Sequence, residues 1–535
     1  MQTLVKRITK ELPKFNDKVL TGIRKKETAE LIEFISARYR ECAAAISPNL
    51  FLLGYEILPP VERLKAELAA KPKRNVINIR GDEAILVEFK FRFDDTTFTN
   101  QLYVPYIYED STFVIGGTRC ECQLSVTEKI FSVRTRTNGV TIKVIRSPIS
   151  FWKNTIHIFY EINTEVQHVG HVVTCKIHGK KSSVNKKKLQ PTAVHYLLCK
   201  HPLPDVLKMF GFDGDSITFC QKPSKYAEDR YYFKAQNLAI NRDPVLMSVN
   251  KELFDEQRVF ADIVSTISYV MCGFRSIDLV DLLTSSVTTF RILLGKILYS
   301  SSAGIDRVHA LSYMDKHIES IDLYVDSYTK DIMKMNGMAV NDIYELLVFL
   351  VQSIDGIVLA SPNNNMYNKR IETINNVIAD HLISTLYYRI YSKEKKSNTR
   401  YMNDVSIDVF NVNPKLILKT LRNSENVRFN PSIYSDNWLL SVGDKVVKRL
   451  SATSKPKNIP GAKSPIVKKS TGSAINSPAN RYHPSMIEIE SALGFSSNPG
   501  VNVLINPYAK VDDGNGFMKN EYGSELADLY RYLPK

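Results

Sequence analysis

Asp213 and Asp215 stand one residue apart in the stretch LKMFGFDGDSITF, residues 207–219. Magnesium takes oxygen ligands in octahedral geometry and keeps several waters, so two or three convergent carboxylates suffice to hold it. With a single glycine between them, the two aspartates could point the same way from an extended loop. The competing reading is a turn. Asp and Gly are the commonest turn formers, and here they end the helix-like LPDVLKMFGF. A motif this short specifies little by itself, so a turn is the expected structure.

His168, His171, Cys175 and His178 (HVGHVVTCKIH) have zinc-like spacing. The segment reads as a strand, in which side chains alternate between faces. His171 and Cys175 then face one way and His168 and His178 the other, so the four cannot converge as a closed zinc site requires. There is also no Walker loop, no GxSxG and no HExxH. The chain is therefore expected to carry no catalytic residues, no metal and no cofactor of its own.

Polyanion binding is a third kind of chemistry. Segment 448–481 carries Lys448, Arg449, Lys455, Lys457, Lys463, Lys468, Lys469 and Arg481, eight positive charges in 34 residues with no acid among them. A charge run is ordinarily a solvated surface. On a loop rich in Gly, Ser and Pro, however, Lys and Arg can follow a phosphate backbone and release its counterions. Nucleic-acid contact is favoured there, whereas GKKSSVNKKK (179–188) reads as a solvated loop.

The elements that must position these residues change in texture along the chain. ETAELIEFISARYRECAAA (27–45) and VERLKAELAAK (61–71) have helical spacing, the second after a Pro-Pro start signal. Residues 75–93 and 101–108 are rich in β-branched and aromatic residues and read as strands. In TFVIGGTRCECQLSV (112–126), Gly116-Gly117 predicts a two-residue hairpin turn. Strands follow at 140–146, 156–162 and 171–177, then helices at 254–271, 287–299 and 368–391. The apolar segment 340–360 is interrupted by Asp342, Glu345, Gln352 and Asp355. It falls short of the roughly 18 unbroken apolar residues that a membrane span needs, so it reads as a buried helix. No internal repeat is visible.

The 535 residues are enough for several domains, and 44% hydrophobic with 24% charged residues is ordinary for a globular protein. Lys and Arg outnumber Asp and Glu by 71 to 56, a net +15 that favours a polyanionic partner. Seven cysteines without a CxxC suit a reducing cytoplasm, and MQTLVKRITKELPKF has no apolar signal core. The expected setting has no membrane.

Four regions, in order, resemble the N-terminal half of the beta subunit of multisubunit DNA-dependent RNA polymerase. They are VPYIYEDSTFVIGGTRCECQLS (104–125), KKLQPTAVHYLL (187–198), NKRIETINNVIADHLISTLYYRI (368–390) and SDNWLLSVGDKVVKRLSA (435–452), the last continued by RYHPSMIEIESALGFSSNPGVNVLIN (481–506). Phe212-Asp213-Gly214-Asp215 also resembles the magnesium loop of such polymerases. The Asp that this loop carries before its Phe is Gly211 here, and the loop belongs to beta-prime.

The resemblance implies a multidomain α+β fold with polymerase parts. Residues 1–145 and 363–430 would form the two segments of a protrusion, 146–362 a lobe, and 431–535 a fork with the basic loop 448–481. The chain would end where the family's beta subunit is half complete, as in the split subunits of giant bacteriophage polymerases. Its implied partners are a C-terminal beta-like subunit, split beta-prime-like subunits, a promoter-specificity subunit, DNA and RNA. Magnesium for nucleotidyl transfer would be held by the beta-prime-like chain, and the setting would be the host bacterial cytoplasm or the virion. The other reading open at this point is a basic nucleic-acid-binding structural protein of a virion.

By the same resemblance, Lys448, Arg449, Lys468, Lys469 and Arg481 are the implied nucleic-acid contacts beside the downstream edge of the transcription bubble. Asp436, Val446, Arg449 and Ser451 fall on positions lining the rifampicin pocket. There are departures. Gly494-Phe495-Ser496-Ser497-Asn498 replaces the family's E-T-P-E-G, and Ser125-Val126-Thr127-Glu128 replaces its His-Arg-Ser-Pro. Val446 replaces the pocket's histidine, which removes an aromatic hydrogen-bonding partner. Rifampicin should accordingly inhibit the assembled enzyme only weakly. RNA synthesis titrated with the drug checks this, and inhibition at low concentration would refute it.

Overall fold

The computed structural model describes residues 27–46, 49–69, 83–108, 112–122, 124–128, 131–134, 139–142, 149–161, 166–177, 189–221, 223, 225–234, 245–271, 286–299, 306–322, 324–325, 327–335, 337–360, 365–378, 381–382, 385–386, 412–424, 427–429, 451–454, 485, 489, 502–504, 509–512 and 516–518. Two compact units result. Residues 1–129 and 363–535 make the first, and residues 130–362 make the second, inserted in the sequence of the first. Both mix helices with small, mainly antiparallel sheets.

The first unit opens with α1 (Thr28–Ile46). Its apolar residues recur every three or four positions, and Leu31, Ile32, Ile35, Tyr39, Cys42 and Ala43 are all buried. Next come β1 (Leu50–Ile57), α2 (Pro60–Ala69), β2 (Ala84–Phe93) and β3 (Thr96–Pro105). The three strands form an antiparallel sheet in the order β1-β2-β3. Tyr39 of α1 packs edge-on against Phe89, with ring centroids 4.9 Å apart, and its hydroxyl donates to Asn100 Oδ1 at 3.0 Å.

β4 (Thr112–Ile115) and β5 (Thr118–Cys122) follow, paired so that Ile115 faces Thr118. Gly116 and Gly117 make the turn with φ of 64° and 77°. Two consecutive positive φ values define the hairpin turn whose twist matches its strands, and glycine adopts them without steric cost. β6 (Leu124–Glu128) completes this part of the unit.

The second unit holds β7 (Phe131–Arg134), β8 (Gly139–Ile142), β9 (Ile149–Glu161), β10 (Gln167–Lys176), β11 (Ile217–Cys220), β12 (Arg230–Lys234) and β13 (Leu246–Asn250). They form an antiparallel sheet in the order β11-β13-β12-β9-β8-β7, with β10 also paired to β9. Its helices are α3 (Ala193–Leu198), α4 (Leu203–Met209), α5 (Lys251–Glu256), α6 (Arg258–Met271), α7 (Val287–Tyr299), α8 (Arg307–Asp322), α9 (Ser327–Met335) and α10 (Ile343–Ala360).

Every residue of α3 is buried, and Thr192 caps it by accepting the His195 N–H at 3.1 Å. His195 Nε2 lies 3.0 Å from the Phe290 carbonyl, and burial lowers the imidazole pKa to about 4. The ring is therefore neutral at pH 7 and donates from Nε2. The apolar segment near 350 is α10, with Leu346, Leu347, Leu350 and Ile354 in the core. Among the described residues, no helix is long and apolar enough to cross a membrane.

A buried charge ties this unit together. Lys153 of β9 is 5% exposed, and its ammonium lies 2.6 Å from Asp262 of α6 and 2.6 Å from Asp355 of α10. Arg258 reaches Asp355 at 3.2 Å. Burying an unpaired ion costs several kcal/mol, so these carboxylates must be present wherever that lysine is.

The chain then returns to the first unit through β14 (Lys369–Glu372). Helical spacing extended one helix over 368–391, but residues 369–372 are a strand and helical residues begin at 374. The reason is local. Thr373 donates its N–H and its hydroxyl to Asn376 Oδ1, at 2.9 and 3.0 Å, a cap that starts the helix there. α11 (Leu416–Asn423), β15 (Val427–Phe429), β16 (Ser451–Ser454) and β17 (Asn502–Leu504) follow.

Replacing Asp262 by Ala leaves the buried Lys153 short of one counter-charge. We expect a loss of about 3–5 kcal/mol, the usual cost of breaking a buried pair. Faster hydrogen exchange of β9 and α6 amides in the full chain would report it, and unchanged protection would contradict it.

Candidate functional site

Four distant segments meet in one sheet of the first unit, in the order β14-β6-β16-β17. β6 pairs antiparallel with β14, from Ser125 opposite Glu372 to Glu128 opposite Lys369. On its other edge β6 pairs parallel with β16, from Leu124 opposite Ala452 to Val126 opposite Ser454. β16 pairs antiparallel with β17, Ser451 facing Leu504. Parallel strands require a crossover connection. Here it runs from residue 128 to residue 451 and contains the whole inserted unit. The sheet thus joins parts of NKRIE, RLSA and VNVLIN, which lie within the segments that carry the polymerase resemblance, to β6, which begins at the end of the 104–125 segment and runs through the departure at 125–128.

The far edge of β14 is also occupied. Arg370 bridges to Gly516, and the Phe517 N–H donates to the Lys369 carbonyl at 3.1 Å. Just before β14, the Met366 N–H donates to the buried Ser485 hydroxyl at 2.8 Å, and Asn365 Oδ1 accepts from the Tyr367 N–H at 3.0 Å.

The chain is therefore fixed at β16 and again at Ser485, both times in the first unit. Between them, residues 455–484 hold Lys455, Lys457, Lys463, Lys468, Lys469 and Arg481 and no Asp or Glu. Ser451 is the first residue of β16, and Lys448 and Arg449 precede it by three and two residues in the sequence. Asp436, Val446, Lys448, Arg449, Lys468, Lys469 and Arg481 lie outside the described residues. So does segment 179–188.

The stretch around Asp213 is a helix cap followed by a turn. Gly211, with φ of 85°, ends α4; its N–H donates to the Lys208 carbonyl at 2.9 Å, and the Phe212 N–H donates to the Leu207 carbonyl at 3.0 Å. That pair of bonds is the Schellman motif, in which glycine takes the left-handed position. Phe212 then packs edge-on against Phe260 at 5.0 Å. Residues 214–216 form one 3₁₀ turn, and Arg230 clamps it by donating to the Asp215 carbonyl at 3.0 Å and to Ser248 Oγ at 2.7 Å. The Asp213 and Asp215 side chains are exposed.

His168 sets its ring against Phe233 and Phe254, with centroids 5.3 and 5.5 Å away. Cys175 sits in the core of the unit, where burial holds its thiol well above the ordinary range. His171 is half-buried, and His178 lies outside the described residues. Among the described residues, no group of three or more His, Cys, Asp or Glu is placed to hold a metal ion.

Sequence reasoning missed Lys369 and Arg370, two cations buried within β14 at 2% and 7% exposure. The available signal was Thr373 three residues before Asn376, a cap spacing that separates KRIE from the helix after it.

No curated protein matches the chain in sequence. Residues 1–522, nearly the whole length, match the family described as "Non-virion RNA polymerase subunit". A polymerase subunit outside the virion leaves no ground for the reading as a virion structural protein. The protein belongs to the family of non-virion RNA polymerase subunits.

Proposed function

We propose that this subunit is the N-terminal half of a split beta-like subunit in a phage DNA-dependent RNA polymerase. It is non-catalytic and forms part of the wall of the DNA channel. It steadies template strand, non-template strand and RNA–DNA hybrid through backbone contacts, which are independent of sequence and sensitive to salt. Magnesium for nucleotidyl transfer is held by a beta-prime-like chain. In this reading, residues 1–145 and 363–430 act as the protrusion, 146–362 as the lobe and 431–535 as the fork. Its partners are the C-terminal beta-like subunit, beta-prime-like pieces and a promoter-specificity subunit, in the host bacterial cytoplasm.

The observation that supports this most is the four-stranded sheet. It brings strands from distant segments around β16, which follows Lys448 and Arg449 in sequence, and β16 and Ser485 bracket residues 455–484 of the basic segment. Lys448, Arg449, Lys468, Lys469 and Arg481 are the proposed contacts to nucleic acid. Asp436, Val446, Arg449 and Ser451 are proposed to line a rifampicin-like pocket that lacks its histidine.

Purification of the tagged chain from infected cells tests the reading. It should recover the second beta-like half together with the beta-prime-like pieces. Recovery with capsid or tail proteins alone would overturn it.

A further inference from the structure

α11 is amphipathic in a way the basic loop does not explain. Ile417, Leu418, Thr420 and Leu421 are buried, while Lys419 and Arg422 are exposed and Lys415 is half-buried just ahead of the helix. These three cations stand at positions i, i+4 and i+7, the spacing that places side chains on one helix face about 5–6 Å apart. None of them has an acidic partner among the described residues, and LILKTLRN contains no acid.

The face is held on rigid parts. The Tyr103 N–H of β3 donates to the Pro414 carbonyl at 2.8 Å, and the Lys415 ammonium lies 5.2 Å from the Tyr103 ring centroid. At the other end, the Arg422 guanidinium occupies the space that a Cβ on Gly116 would take. Gly116 and Gly117 are both exposed, so the cationic stripe runs onto a turn that carries no side chains.

A stripe of cations with no acidic partner among the described residues, on one helix and ending at a glycine turn, suits a regular polyanion better than another protein's mixed surface. We propose that Lys415, Lys419, Arg422 and the Gly116-Gly117 turn form a second contact to nucleic-acid phosphates, separate from the 448–481 loop. Lys419 and Arg422 supply the charge. At Gly117, where nothing lies within 4 Å of the place a Cβ would take, a phosphate can approach the backbone closely beside the Arg422 guanidinium that fills the space over Gly116. This deepens the nucleic-acid reading above and rests on it.

The test uses the assembled polymerase and a DNA duplex with an unpaired bubble, with affinity measured at several salt concentrations. Each phosphate neutralised contributes about 0.9 to the slope of log affinity against log salt. Lys419→Ala with Arg422→Ala should therefore flatten the slope by roughly 1.8. Lys419→Arg with Arg422→Lys should keep it. A wild-type slope in the alanine variant, while Lys468→Ala with Lys469→Ala flattens it, overturns this contact and leaves the loop reading standing. Flat slopes in both the alanine and the conservative variants would mean a structural effect, and would also overturn it. So would failure of the alanine variant to assemble with its partner subunits, which would mark the stripe as a protein interface. If neither alanine pair changes the slope, both readings fail.

Discussion

The arrangement of the first unit depends on the parallel ladder between β6 and β16. Four residues of β16 lie between β6 and β17, and a central strand needs partners on both edges, because an unpaired buried backbone N–H or C=O is costly. β16 is therefore ordered only when residues 124–126 and 502–504 are in place beside it. Lys448 and Arg449 precede, in sequence, a strand whose β6 partner lies more than 300 residues away along the chain. The same sheet receives β14, and the turn into β14 holds Ser485.

The inserted unit is built on different terms. Its sheet and helices enclose their own core, and the three-way contact of Lys153 with Asp262 and Asp355 joins a strand to two helices. A buried ion of this kind adds little net stability over a well-packed apolar group, but removing one partner is expensive. The Asp213 stretch follows the same logic at the surface. Gly211 is needed for the left-handed cap, and Arg230 spends its donors on the Asp215 carbonyl and on Ser248. Gly211 and Phe212 thus have structural roles, whereas the Asp213 and Asp215 side chains are exposed on the turn.

Signals confined to a few neighbouring residues were legible in the sequence. The α1 spacing, the Gly116-Gly117 hairpin, the buried α10 and the turn after α4 could all be read, because each depends on local periodicity or on glycine. β14 was not read as a strand, since NKRIETINN also fits a helix; the Thr373–Asn376 cap spacing separates KRIE from the helix, and the pairing with β6 makes it a strand. Nothing local marks β16 as a parallel partner of β6, because a parallel ladder leaves no hairpin in the sequence. The cations of the basic loop could be named from composition alone, but not the sheet that anchors them. The α11 stripe was overlooked for a related reason. LILKTLRN has a helical period, but the exposure of Lys419 and Arg422 follows from packing against β3.

The central claim is that the segment entering β16 carries the subunit's contact with nucleic acid at the edge of the transcription bubble. A photo-reactive residue placed at position 449, in the assembled polymerase stalled on a bubble template, tests it most directly. The account predicts cross-links to DNA at the downstream edge of the bubble. Cross-links to protein alone, from an enzyme still active in RNA synthesis, would contradict it.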